Sequence, residues 1–138
     1  MIYAVIDTNV LVAAVKTTKP DSSTSQVLSL VFTGVIKPLV SEEILSEYND
    51  ILNLPVLDLN PEKVADVLEK FREDGLYPGR TQSNEIFPDE TDRIFYEISL
   101  SVEDSHVVTN NVKHFPKVPR VVTPSEMLAL LRSSGEIY

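Results

Sequence analysis

The sequence contains no cysteine among its 138 residues. This absence excludes disulfides, zinc–thiolate sites, iron–sulfur clusters and thiol catalysis, and it is consistent with a reducing compartment. No apolar stretch reaches the length of a membrane span, because Lys, Pro, Ser or Glu interrupts each one. The first seven residues, MIYAVID, lack the basic start and the small-residue cleavage site of a signal peptide. We therefore expect a cytoplasmic protein without a membrane partner.

Positive charge is also scarce. The chain has 12 Lys and Arg against 21 Asp and Glu, which gives a formal net charge of −9. Such a charge disfavours sequence-independent phosphate binding as the main activity, but it leaves room for a basic partner or a bound cation. With 43% hydrophobic and 24% charged residues, the composition is that of a globular protein. The length predicts one domain over residues 1–138.

Short apolar runs alternate with segments of helical periodicity along the chain. Strands are predicted at 2–6, 35–40, 106–109 and 120–122, and helices at 8–15, 27–32, 41–52, 61–74, 89–102 and 124–131. The segment 76–87 has no clear period and is predicted to hold at most one short strand. Strands separated by helices require crossover connections, so we predict an α/β fold, a three-layer α/β/α Rossmann-like sandwich with a mostly parallel central sheet.

In such sheets ligands bind beyond the carboxyl ends of the strands, and Asp7 stands at the end of the first one. An Asp at a strand-to-helix turn is also a common helix cap. Glu47 lies in the helix after the second strand, about 40° from Ile51 and about 60° from Ile44 around the helix axis. It therefore flanks the apolar stripe, although a solvated helical Glu is the alternative interpretation.

Asp92 is the third candidate, in the sequence Pro88-Asp89-Glu90-Thr91-Asp92. We assign Asp89 to the helix cap and Asp92 to the site, although acidic first turns are also ordinary. Carboxylates about 6 Å apart repel by roughly 3 kcal/mol at an effective dielectric near 20, so such a cluster needs protons or a cation. Neither histidine is spaced as a ligand, and oxygen donors favour Mg²⁺ or Mn²⁺ over Zn²⁺.

Five blocks of the sequence, in order, resemble the motifs of PIN-domain proteins. They are Ile6–Leu11 (IDTNVL), Ser41–Tyr48 (SEEILSEY), Asp89–Glu97 (DETDRIFYE), Val107–Phe115 (VVTNNVKHF) and Val122–Glu126 (VTPSE). The resemblance covers essentially the whole chain, and the combination is much more specific than any single block.

This resemblance implies a Mg²⁺- or Mn²⁺-dependent endoribonuclease that cleaves single-stranded or structured RNA. It is most similar to the toxin components of bacterial toxin–antitoxin pairs, so it also implies a cognate antitoxin partner and a homodimer. The acidic positions of the family map onto Asp7, Glu47 and Asp92. Asp7 and Asp92 are expected to hold the metal, and Glu47 to complete the pocket or orient the attacking water.

The fourth block departs from the family pattern. Asn110 replaces the usual Gly, and Asn111 stands where many members have a fourth carboxylate. Asn111 can still hydrogen-bond a metal-bound water or orient Asp92, so we include it among the catalytic candidates. It removes one negative charge, which leaves open a catalytically reduced or silent module that binds RNA or a protein partner.

Two other folds of this class fit less well. A phosphoacceptor receiver domain should have adjacent acidic residues after its first strand, whereas Thr8 and Asn9 follow Asp7. A nucleotide-binding Rossmann domain should have a glycine-rich turn at this point, and none is present. Six basic residues could line a path for RNA or could simply be solvated: Lys16, Lys19, Arg93, Lys113, Lys117 and Arg120.

Overall fold

The predicted alternation of strands and helices is present along the chain. A computed structural model describes residues 1–138 and contains four β-strands and six α-helices. In chain order these are β1 (Ile2–Ile6), α1 (Thr8–Lys16), α2 (Ser23–Phe32), β2 (Ile36–Pro38), α3 (Glu42–Leu52), α4 (Pro61–Asp74), α5 (Arg93–Ser99), β3 (His106–Val108), β4 (Val121–Val122) and α6 (Pro124–Ser133). Short 3₁₀ turns lie at Pro55–Leu57, Glu90–Asp92 and Val112–His114.

The four strands form one sheet in the order β2-β1-β3-β4, and every pair is parallel. Ala4 of β1 lies opposite Pro38 of β2 and His106 of β3, so β1 is central and its residues Ala4–Ile6 are buried. The sheet was predicted to be mostly parallel, and it is entirely so. This arrangement brings the carboxyl ends of β1 and β3 side by side.

The helices fall into two packed groups. Helix α2 packs against α1 and α6, whereas α3 packs against α4 and α5. The crossover from β1 to β2 and the crossover from β2 to β3 step in opposite directions across the sheet. Right-handed connections therefore place the two groups on opposite faces, which gives the predicted three layers. One hydrophobic core cluster contains 29 buried residues.

Several helix boundaries follow the predicted capping chemistry. The Asn60 side chain accepts hydrogen bonds from two backbone N–H groups at the start of α4, with Pro61 as the first helical residue. Thr123 and Glu126 form the predicted capping box at α6. Each device satisfies backbone donors that the first helical turn leaves unpaired.

Gly75 ends α4 as predicted, but for a different reason. The prediction relied on the left-handed conformation that glycine tolerates at helix ends, whereas the Gly75 φ is −69°. A Cβ at this position would lie 2.3 Å from the Phe71 carbonyl oxygen and 2.6 Å from a methyl group of Val40. Close approach of the chain, rather than its conformation, requires glycine here.

The region from 76 to 102 differs most from the prediction. The segment 76–87, which was predicted to hold at most one short strand, pairs only through an isolated bridge between Leu39 and Leu76. The helix predicted over 89–102 divides into the 3₁₀ turn Glu90–Asp92 and the seven-residue α5, which ends at Ser99. Further along, Asp104 adopts a positive φ of 63° before β3 begins.

No helix has both the length and the apolar character needed to cross a membrane.

Candidate functional site

The predicted site residues lie at the carboxyl edge of the sheet. Asp7 follows β1 directly, and its backbone N–H donates to the Val108 carbonyl oxygen at the end of β3 over 2.9 Å. Thr109 extends β3 by one residue and bonds through its own N–H to Val122 of β4. The ladder of parallel strands thus continues into the site and fixes its backbone.

Asp7 is only 5% exposed. It occupies the residue before α1, yet its side chain makes no capping hydrogen bond to that helix. Its Oδ2 accepts instead from the Thr109 hydroxyl at 2.7 Å and from the Asn9 amide at 3.1 Å. Burial raises the pKa of Asp7 to about 6, against the opposing effect of the Thr109 hydrogen bond. The capping interpretation of this residue is therefore wrong.

A short polar network holds the carboxylate in place. Besides donating to Asp7, the Thr109 hydroxyl accepts from the Asn111 backbone N–H at 2.9 Å. The Asn9 side-chain oxygen accepts from the Asn110 backbone N–H at 3.1 Å, so the two strand ends are tied together. Asn111 itself is exposed and contributes its backbone rather than its side chain.

Glu47 lies at the edge of the buried face of α3, as the helical angles predicted. Its side chain is half-buried and accepts a hydrogen bond from the Thr8 hydroxyl at the start of α1. The neighbouring Tyr48 is fully buried and donates to the Ile6 carbonyl oxygen. Helix α3 is thereby attached to the end of β1 immediately before Asp7, and Glu47 is not a solvated surface residue.

Asp92 is the last residue of the 3₁₀ turn before α5, and Asp89 caps that turn through the Thr91 N–H. The Asp92 side chain is 16% exposed, and its Oδ2 is buried without a hydrogen-bond partner. The His114 imidazole also lies close to that oxygen, with its Nδ1 3.4 Å away. An unsatisfied buried carboxylate oxygen requires a proton, a donor or a cation.

The three carboxylates act on one another electrostatically. Burial is the largest cause of the raised pKa of all three, and in each case a neighbouring carboxylate adds to it. The charge of Asp92 raises the pKa of Asp7, that of Asp7 raises the pKa of Glu47, and that of Glu47 raises the pKa of Asp92. The structure therefore brings the three predicted acidic residues into one negatively charged region.

This region suits a divalent cation in its donor chemistry. Asp7 and Asp92 both have raised pKa values, and Asp92 carries an unpartnered buried oxygen, so these are the groups whose charge a cation would stabilise. No group of three or more Asp, Glu, His or Cys side chains is arranged to hold a metal ion. Mg²⁺ is commonly bound by one or two carboxylates with water completing its shell, and Asp7 and Asp92 fit that mode.

The basic candidates separate into two kinds. Arg93 donates to two loop carbonyl groups and stacks over the Phe87 ring at 4.7 Å, and Arg120 donates to the carbonyl groups of Ser99 and Ser105. These two guanidinium groups are engaged by backbone carbonyl groups and hold loops together. Lys113 and Lys117 are exposed and lie close along the chain to His114.

Two important residues were not identified from the sequence. Thr109 appeared only as part of a motif, although its hydroxyl is a direct partner of Asp7. Glu97 is 2% exposed and accepts from Arg80 and from the Ser83 N–H, both at 2.6 Å, which anchors the loop before the site. The helical pattern gave no signal for Glu97, because it lies about 60° from Ile94 and about 100° from Ile98, outside the apolar face of α5.

Comparison with models of known protein families gives a match. A family model described as PIN domain matches residues 3–113, a range that includes Asp7, Glu47 and Asp92. No match was found among curated proteins or among solved structures. PIN domains are usually metal-dependent nucleases. Because the match extends over far more than half of the chain, this protein belongs to the PIN-domain family.

Proposed function

We propose that the protein is a Mg²⁺- or Mn²⁺-dependent endoribonuclease. The observation that carries the proposal is the buried Asp7 at the end of β1. Burial raises its pKa to about 6, and the negative charge of Asp92 contributes to the increase. A fold tolerates a desolvated charge of this kind where a ligand or a reaction uses it. The family supports nuclease chemistry in general, and RNA as the substrate is our specific proposal.

The roles of the side chains follow from their surroundings. Asp7 and Asp92 would hold the cation, which when bound polarises a phosphodiester and lowers the pKa of water. Thr109 and Asn9 both donate hydrogen bonds to Oδ2 of Asp7, and these two bonds fix the orientation of its carboxylate. Thr8 holds one oxygen of Glu47, which leaves the other free to orient water and take its proton.

The other parts of the proposal concern partners. We propose that the chain is the toxin of a cytoplasmic toxin–antitoxin pair, that a cognate antitoxin protein restrains it and that it forms a homodimer. The net charge of −9 supports a basic partner segment. Exposed apolar side chains such as Val56 (85% exposed) and Ile86 (91% exposed) supply surface that a second chain could cover.

Asn111 supports a second candidate, a PIN-type module that binds RNA or protein without cleaving. Its side chain is neutral and exposed, at the position where a fourth carboxylate is common in the family. With one fewer negative charge the site attracts a cation less strongly. Binding of RNA without turnover would then be the activity of the chain.

Cleavage of single-stranded RNA with and without Mn²⁺ distinguishes these candidates. We expect Asp7→Asn and Asp92→Asn to lower the rate at least about a hundredfold, because each removes a carboxylate that would hold the cation stabilising the charge at the reacting phosphate. Asp50→Asn is the matched control, since Asp50 is an exposed carboxylate on α3. Wild type that cleaves no faster than Asp7→Asn contradicts the nuclease proposal. A gain of activity in Asn111→Asp would identify the missing carboxylate as the limiting feature.

A further inference from the structure

Lys113 and Lys117 lie on the segment that follows β3, and this segment also forms one side of the acidic site. The turn Val112–His114 carries His114, whose Nδ1 is 3.4 Å from Asp92, and Lys113 precedes it directly. Both lysines are exposed, and neither is held in a salt bridge. Two free positive charges are thus placed beside a negatively charged centre.

The same segment lines an open surface cavity of about 320 Å³. Lys113 and Lys117 contribute to its lining, together with apolar surface from Val112, Pro116 and Val118. The cavity therefore combines flexible cationic groups with an apolar wall. Nucleotides present the matching pair of surfaces, an anionic phosphate and the flat apolar face of a base.

The carboxylate of Glu126 lines the same cavity but forms no ion pair with either lysine. Glu126 also contributes to the lining, but its Oε1 accepts from the Thr123 backbone N–H at 2.8 Å within the capping box of α6. Its position is fixed by that bond, and no ion pair joins it to Lys113 or Lys117. The lysines remain available to a ligand.

The remaining cations near the site are already engaged. Arg80 and Arg93 line a second polar cavity, but Arg80 pairs with the buried Glu97 at 2.6 Å, and Arg93 pairs with Glu90 at 2.9 Å. Lys16 lies at the far end of α1, about 12 Å along the helix from the site. The segment 112–118 is therefore where free positive charge adjoins the carboxylates.

We propose that this cavity binds one nucleotide of a single-stranded RNA, next to the phosphodiester at the acidic site. Lys113 and Lys117 contact its phosphate oxygens, and the base or ribose lies on the wall formed by Val112, Pro116 and Val118. This inference rests on the proposed function. It adds that substrate affinity depends on a cationic segment beside Asp92 in a chain that is otherwise strongly acidic.

The test measures binding of a labelled single-stranded RNA in an Asp7→Asn background, which prevents cleavage. Lys113→Ala/Lys117→Ala should bind several-fold more weakly and lower the salt dependence of log K by about 1.4, because two phosphate contacts are lost. Lys37→Ala/Lys63→Ala, on β2 and α4, carries the same change of charge outside the segment 112–118 and should keep the original slope. RNA containing 4-thiouridine, crosslinked to the parent protein, should label residues within 112–121.

The outcomes are distinct. This inference is overturned if Lys113→Ala/Lys117→Ala leaves the salt dependence of log K unchanged. It is also overturned if the crosslinks are confined to other segments. Both results leave the nuclease proposal in place. Absence of RNA binding by the Asp7→Asn parent and by wild type overturns this inference together with RNA as the substrate. RNA binding by wild type without cleavage overturns the nuclease proposal and leaves the nucleotide cavity standing.

Discussion

Thr109, which follows β3, donates a hydrogen bond of 2.7 Å to Asp7, which follows β1, across 102 positions of sequence. Burial raises the pKa of Asp7 by more than this bond lowers it, and the resulting pKa is about 6. One neutral hydroxyl, itself fully buried, therefore limits how far desolvation suppresses the charge of the carboxylate.

Thr109→Val should raise the pKa of Asp7 further, because it removes the donor and keeps the volume of the side chain. We expect the acidic limb of the pH–rate profile to move to higher pH, and the free energy of unfolding to fall by about 1–2 kcal/mol. Thr109→Ser, which keeps the hydroxyl, should restore the profile. A profile that does not move in Thr109→Val would show that the bond has no effect on the titration of the site.

Asp7 itself should make stability depend on pH. Its pKa is about 6 in the folded chain and 3.8 for an unperturbed carboxyl, so the folded state binds more protons between these values. The free energy of unfolding therefore decreases as pH rises through this window, by roughly 3 kcal/mol in total. Asp7→Asn lacks this loss and should be more stable than wild type above pH 6. Urea unfolding of both proteins across the window measures the difference, and parallel curves would contradict the assignment.

Divalent cations should raise the melting temperature, because they bind the assembled carboxylates and not the unfolded chain. The increase should be larger at about pH 7.5 than at about pH 5, where protons occupy Asp7 and compete with the metal. Differential scanning calorimetry with millimolar Mn²⁺ or Mg²⁺ measures it, with Asp7→Asn expected to lose the increase and Asp50→Asn to keep it. Equal shifts in all three proteins would indicate non-specific binding.

Glu97→Gln should loosen the loop between α4 and α5. The substitution leaves Arg80 and Arg93 without their buried counter-charge, and we expect a loss of about 2–4 kcal/mol. Limited proteolysis should then cut within residues 76–92 faster than in wild type. Glu73→Gln, an exposed carboxylate of α4, serves as the control. Unchanged cleavage of the loop would show that Glu97 does not anchor it.

Gly75→Ala should destabilise the chain although its φ of −69° suits alanine. The added Cβ meets the Phe71 carbonyl oxygen and Val40, and such overpacking costs about 1–3 kcal/mol. Gly79→Ala provides the comparison, since its φ of +87° is unfavourable but open space surrounds it. A left-handed alanine at 79 costs about 1–2 kcal/mol. A Gly75→Ala protein as stable as wild type would contradict the close-contact explanation.

Local chemistry made much of the fold predictable. The capping box of Thr123 and Glu126 and the cap at Asn60 act within four residues, and the position of Glu47 follows from helical angles alone. Asp7 was identifiable because parallel strands present their carboxyl ends at one edge. Each of these predictions uses a rule that needs no knowledge of distant contacts.

Contacts between distant segments could not be predicted in the same way. Glu97 is buried because Arg80 and Ser83 reach it from a loop without periodicity. The approach of His114 to Asp92 depends on how the turn after β3 lies against the start of α5. The early end of α5 at Ser99 likewise reflects the path of the chain into β3, since residues up to Val102 continue the apolar pattern.

The Glu97 anchor has a consequence for recognition. Residues 76–92 contain little regular structure, yet Arg80, Ser83 and Arg93 fasten them to the interior through one carboxylate and the carbonyl groups around it. The conformational entropy of this loop is therefore lost during folding, and little further entropy is lost when a substrate binds. A nucleic acid that contacts residues 76–92 would meet a loop of fixed conformation. Discrimination among substrates would then depend on how well each nucleic acid adapts its own conformation to this loop.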